Sequence, residues 1–158
     1  MKKYITVIGA GRCDELTIAV AEEVGRLIAG AGIVLVCGGL GGVMEAACRG
    51  AKTADGVTLG ILPGLDRSEG NRHLDFSVCT GVGHARNLAV ASSGDAVIAI
   101  GGGFGTLSEI GLAGKTGRPV VLLGGWEIRQ EGRLPDGVIL ADSPVEAVNL
   151  AIQAMPVS

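Results

Sequence analysis

Along the chain, short runs of consecutive apolar residues alternate with longer stretches in which apolar residues return every third or fourth position. The runs Tyr4–Ile8, Ile33–Cys37, Val57–Leu62, Ala96–Ile100 and Pro119–Leu123 predict strands, with shorter ones at Leu74–Cys79 and Val138–Leu140. Between them the period changes. Over Asp14–Ala29 the residues Leu16, Ala19, Val20, Val24, Leu27 and Ile28 fall on one helical face. Val43–Ala54, Gly83–Ser93 and Thr106–Thr116 predict three more helices, and Pro63–Arg72 reads as a loop. A last helix opens with Ser143 as N-cap, Pro144 at the first helical position and Glu146 closing the capping box. Strands that are apolar throughout, joined by helical crossovers, belong to a parallel sheet buried on both faces. The expected fold is therefore a doubly wound, Rossmann-like α/β domain, with residues 1–158 forming one domain and no linker or repeat.

Glycine changes the picture. There are 28 glycines in 158 residues, well over twice the usual ~7%. They cluster behind the strands: Gly9 and Gly11 after the first, Gly38, Gly39, Gly41 and Gly42 after the second, and Gly101, Gly102, Gly103 and Gly105 after Ala96–Ile100. In an open α/β sheet that carboxyl edge is where ligands bind. Several clusters lead into helix N-termini, where free N–H groups and the helix dipole favour an anion. Tight turns alone explain one or two glycines per loop, but not the density at 38–42 and 101–105. These positions point to a small phosphorylated ligand.

Charge narrows the partner. The net charge of −3 comes with no basic block, so no nucleic acid is expected. No apolar run nears the roughly 18 residues of a membrane span, and the first residues do not read as a signal peptide, so a cytoplasmic location away from membranes is expected. The four cysteines form no CxxC pair and read as reduced core residues rather than a metal site or disulfide framework. His73 and His84 read as surface or hydrogen-bonded residues, and Trp126 either stacks on a base or packs beside the sheet.

Two nucleotide motifs fail. After the first strand, Asp14 stands where the dinucleotide fingerprint needs its third glycine, and no acid ends the second strand. Gly114-Lys115-Thr116 ends a helix instead of starting one, and Glu109 takes the place of the first P-loop glycine. Lys115 then suits the negative helix end and Gly117 the position after it.

Thr106 and Glu109 can be read as a capping box, or Glu109 as a carboxylate facing the cleft one turn below an anion-binding helix start. Arg86 falls in the first turn of its helix, where a cation opposes the dipole unless an anion lies nearby. It reads either as a solvated or ion-paired residue or as a phosphate ligand, and Arg12 is a weaker candidate of the same kind.

The segments Gly38–Ala46, Gly60–Pro63, Gly83–Asn87 and Gly101–Glu109 resemble the LONELY GUY (LOG) family, also described as lysine decarboxylase-like, over nearly the whole chain. The most specific part is the PGGxGTxxE signature with Arg86 upstream of its Glu. The resemblance implies hydrolysis of the N-glycosidic bond of nucleoside 5′-monophosphates. On it, Gly103, Gly105 and Thr106 hold the phosphate, and Glu109 handles the attacking water or the ribose hydroxyls. Arg86 steadies the transition state near the sugar. Gly101 stands where the signature has proline, and Asn87 where family enzymes commonly have lysine. Both point to a neighbouring branch that includes molybdenum cofactor carrier proteins. Two expectations follow: a binding protein for a nucleotide-like or pterin phosphate, and a phosphoribohydrolase using Arg86 and Glu109. Neither requires a resident cofactor; a nucleotide monophosphate or the molybdenum cofactor would be bound as ligand. The resemblance also implies a homo-oligomer, a dimer or tetramer. Lysine decarboxylation is set aside, because no lysine sits in a Schiff-base context for pyridoxal phosphate.

Overall fold

The structure is a computed structural model and describes residues 1–156. Seven strands, β1 (Tyr4–Gly9), β2 (Val34–Cys37), β3 (Thr58–Leu62), β4 (Phe76–Cys79), β5 (Ala96–Ile100), β6 (Val120–Leu123) and β7 (Val138–Ala141), form one parallel sheet. Its order is β4-β3-β2-β1-β5-β6-β7. Five helices connect or follow them: α1 (Glu15–Gly30), α2 (Val43–Lys52), α3 (Asn87–Ser93), α4 (Phe104–Lys115) and α5 (Pro144–Ala154). The doubly wound architecture expected from the alternation is the one observed.

The apolar runs explain both faces. Ile5, Val7, Leu35, Cys37, Ile98, Ile100 and Leu123 point to the core made with α1, α2 and α5. Their neighbours in register, Ile8, Val36, Val97, Ala99 and Leu122, meet Val90 and Ala91 of α3 and Ile110 and Ala113 of α4. Side chains of successive residues alternate across the sheet, so a strand buried on both sides must be apolar throughout. β2, β5 and β6 contain only buried apolar residues.

Local chemistry sets the helix ends. The Asp14 carboxylate accepts the Thr17 N–H at 2.8 Å and starts α1. Ser143 accepts the Glu146 N–H, with Pro144 next in line, as the sequence predicts. After α4, Gly117 takes φ +72, while its N–H donates to Gly114 and that of Arg118 to Ala113. This is a Schellman closure, and a left-handed residue there favours glycine.

Two boundaries differ in ways that matter. Residues Gly83–Arg86 form a separate 3₁₀ turn before α3, so Arg86 stands at the joint between them rather than inside an α-helix. Helix α4 starts at Phe104 with Gly103 as N-cap and no side-chain cap. Thr106 and Glu109 therefore form no capping box, and both side chains are free for other work. The loop after β3 also holds a short 3₁₀ turn at Arg67–Glu69.

Candidate functional site

The chain runs outward from β1 to β4 at one edge and then returns to β5, beside β1. The loops after β1 and β5 diverge at that reversal, which opens a crevice where ligands bind in such sheets. A cavity of about 340 Å³ lies there. Its walls are Gly9 at the end of β1 with Ala10 and Gly11 after it, Leu40 and Met44 around the start of α2, His84, Arg86 and Asn87 before and at the start of α3, and Gly103, Gly105, Thr106 and Glu109 at the cap and first turns of α4.

The floor of this cavity is the first turn of α4. In an α-helix the first N–H groups have no acceptor in their own helix. No protein acceptor takes those of Phe104, Gly105 or Thr106 among the described residues; the first bond of the helix runs from Leu107 N–H to the Gly103 carbonyl. Gly103 and Gly105 leave this turn bare, since a Cβ at either would meet nothing within 4 Å. Gly102 has the opposite reason. It adopts φ +101, and a Cβ there would collide with the Thr106 side chain. The Trp126 indole donates to the Gly103 carbonyl at 3.1 Å and its ring lies 5.7 Å from Phe104. These contacts place Trp126 against the loop that leads into α4.

Above the turn, four buried polar side chains meet. Arg86, Asn87, Thr106 and Glu109 are each at most 8% exposed. Burying polar groups is costly unless they are hydrogen-bonded, so such a cluster marks a site built for a purpose. The Arg86 guanidinium donates through Nη1 to Asn87 Oδ1 and through Nη2 to the Gly38 carbonyl at 3.3 Å. Its Nε is buried and has no hydrogen-bond partner among the described residues. Glu109 Oε1 lies 3.9 Å from Arg86 Nη1, at the outer limit of an ion pair. Burial pushes the Glu109 carboxyl up to about 7, with the nearby guanidinium pulling the other way. Burial likewise draws Arg86 below its ordinary value, opposed by Glu109 and Cys37. The arrangement presents amide donors, one arginine and one carboxyl that changes charge near neutral pH.

The sequence-derived residues divide. Gly9, Gly11, Gly103, Gly105, Thr106, Arg86 and Glu109 line the cavity. Gly38 serves it indirectly: a Cβ there would lie 2.8 Å from Arg86 Nη2, so glycine makes room for the guanidinium. Gly39 packs against Leu62, and Gly42 presses on the Ala10 carbonyl, which accepts the Val43 N–H at 3.0 Å. The start of α2 is thus joined to the β1 loop and offers less to an anion than its glycines suggest. Gly41 approaches the Gly11 carbonyl, and Arg12 is exposed outside the cavity lining. Leu40, Met44, His84 and Asn87 are lining residues that the site assignment from sequence lacks. His84 and Asn87 flank Arg86 so closely that proximity alone is the sequence signal.

A second cavity, about 390 Å³, lies across the Gly101 loop between Leu16, Thr17, Val20, Leu123, Asp142 and Pro144. It contains none of the buried polar cluster. Among the described residues no group of three His, Cys, Asp or Glu side chains could hold a metal ion, and no helix is long and apolar enough to cross a membrane.

Residues 2–148 match the model of the SLOG cluster4 family, and the chain belongs to that family. Among solved structures, it resembles the molybdenum cofactor binding protein from Rippkaea orientalis (36% identity, TM-score 0.86, 97% of each chain covered). It also resembles the molybdenum cofactor carrier protein from Chlamydomonas reinhardtii (34% identity, TM-score 0.82, 98% of each chain). In sequence it is 45% identical over 150 residues to an uncharacterized protein of Archaeoglobus fulgidus, covering 95% of each. It is 33% identical over 119 residues to the cytokinin riboside 5′-monophosphate phosphoribohydrolase of Mycobacterium tuberculosis, covering 69% of this chain and 63% of that protein.

Proposed function

We propose that this protein binds a small phosphorylated ligand of the nucleotide or pterin class, with its phosphate on the first turn of α4, as a carrier related to the molybdenum cofactor carriers. The observation that supports this most is the set of N–H groups at Phe104, Gly105 and Thr106, which have no protein acceptor among the described residues, on a turn whose Gly105 and Thr106 line the same cavity as Arg86. A terminal phosphate suits those amides and the helix dipole, and Arg86 adds a positive charge to the lining of the same cavity. The names of the Rippkaea and Chlamydomonas structures favour a pterin ligand. The phosphate of a pterin monophosphate would rest on the same turn, and the residues shown fit that part of the molecule.

A second reading, hydrolysis of a nucleoside 5′-monophosphate, is favoured by Glu109. A carboxyl with a pKa near 7 in a buried site can take a proton from water and release it. In that reaction the C1′–N bond breaks, water supplies hydroxide to C1′, and the remaining proton leaves with the base. The positive charge developing on the sugar would be met by the carboxylate.

Melting the protein with inorganic phosphate, 5′-AMP and a pterin monophosphate tests the binding reading. A ligand at 100 times its Kd raises stability by about 2.7 kcal/mol; no shift with any of the three refutes it. Chromatography of the AMP incubation tests hydrolysis. Free adenine that disappears in Glu109→Gln supports an enzyme, and an intact nucleotide supports a carrier. The exposed side chains Phe76, Val78 and Leu88 support a homo-oligomer, a dimer or tetramer, which light scattering would size.

A further inference from the structure

We propose that Asn87 is a positioning residue: it holds the Arg86 guanidinium off Glu109, so that the arginine faces the ligand instead of closing into an ion pair with that carboxylate. The inference rests on the phosphate-binding reading of the same site and adds a residue that decides how the site responds to pH.

Asn87 is 7% exposed and bridges two elements. Its Oδ1 accepts from Arg86 Nη1, and its Nδ2 donates to Ser108 Oγ at 3.2 Å. Ser108 in turn donates to the Gly105 carbonyl at 2.6 Å, in the first turn of α4. The direction of every bond is determined. Arginine only donates, so the amide oxygen must face it. The hydroxyl proton goes to Gly105, so Ser108 must accept from the amide nitrogen. The chain Arg86–Asn87–Ser108–Gly105 ties the arginine to the turn on which the phosphate would sit.

The result is visible in the distances. An arginine and a carboxylate that are both buried normally meet at about 2.7–2.9 Å, often through two bonds. Here the nearest approach is 3.9 Å, although both side chains are at most 10% exposed. What keeps them apart is the competing bond to Asn87 on Nη1, the same nitrogen that is nearest Glu109, with the Gly38 carbonyl holding Nη2. Glu109 is left with weak compensation for its burial. The titratable groups around it are Arg86, Cys37 at the end of β2, and His84 on the cavity wall.

The test is an NMR titration of ¹³C-labelled glutamate in ligand-free protein, together with the Kd for 5′-AMP. Asn87→Leu has no acceptor, and in Asn87→Ser the hydroxyl oxygen sits one bond nearer the backbone than the Asn87 Oδ1 that accepts from Nη1, so in both variants Arg86 closes on Glu109. The Glu109 midpoint then falls by about one pH unit or more, and AMP binding weakens about tenfold. Asn87→Asp keeps an acceptor for Arg86, and its Glu109 midpoint stays where it is or rises. If Asn87→Leu does not fold, the smaller Asn87→Ser carries the measurement. The proposal is overturned if the leucine and serine variants fold and keep the wild-type midpoint. It is equally overturned if Asn87→Asp lowers the midpoint as far as they do, because lost packing rather than a lost acceptor would then be the cause. If wild type binds no AMP, the functional reading fails, while the ligand-free titration still decides the role of Asn87.

Discussion

Replacing Glu109 by glutamine should remove a specific pH dependence from the stability of the fold. The native pKa is raised from an ordinary 4.5 to about 7 because the carboxyl is buried and Arg86 compensates only partly. The difference of about 2.5 units corresponds to roughly 3 kcal/mol at ~1.36 kcal/mol per unit. A pKa raised by folding means that the unfolded chain gives up this proton first. The contribution is therefore complete below pH 4.5 and is lost as pH rises through about 7. Glutamine keeps the shape and is neutral throughout, so Glu109→Gln lacks this loss. Urea unfolding of both proteins at several values across that pH range gives the comparison. The stability of wild type minus that of the variant should fall by about 3 kcal/mol from the acid to the alkaline end. Parallel profiles, agreeing within about 0.5 kcal/mol, would mean that Glu109 is not held in the environment described.

Gly105→Ala should act with opposite signs on stability and binding. A Cβ at residue 105 meets nothing within 4 Å among the described residues and the backbone there is helical, so alanine should stabilise by about 0.4–1 kcal/mol. The added methyl would stand on the phosphate-binding turn and weaken AMP binding, read from the fluorescence of Trp126, which is the chain's one tryptophan and touches the loop. Gly25→Ala tests packing away from the site. Its Cβ would fall inside van der Waals distance of the Ala47 carbonyl, and Gly50 stands likewise against Glu22, so α1 and α2 meet backbone to backbone. Denaturant melts should show a loss of about 3 kcal/mol or more, because carbonyl groups within helices cannot yield.

The sheet was legible because burial on both faces leaves strands such as Ala96–Ile100 with no polar residue, and because Ser143-Pro144 and Gly117 punctuate helices in the way backbone sterics demand. The start of α4 was not legible to the residue. Thr106 and Glu109 carry the spacing of a capping box, and only the path of the backbone shows that a glycine, Gly103, caps the helix three residues earlier. Arg86 illustrates a deeper limit. Sequence places it in a helical turn exposed to the dipole, whereas the cavity left by Gly38 and the acceptor offered by Asn87 turn it inward. Such roles depend on residues brought together from β2, α3 and α4, and no local pattern encodes them. The same holds for Gly39 and Gly42: their clustering resembles an anion loop, but tertiary contacts with Leu62 and Ala10 account for them.

The central claim concerns backbone amides, so the most direct measurement watches them. In ¹⁵N-labelled protein titrated with 5′-AMP, the amide signals of Phe104, Gly105 and Thr106 should move together and saturate, with Arg86 side-chain signals following. Saturable shifts confined to other loops, with these three amides unmoved while AMP binds, would contradict the account.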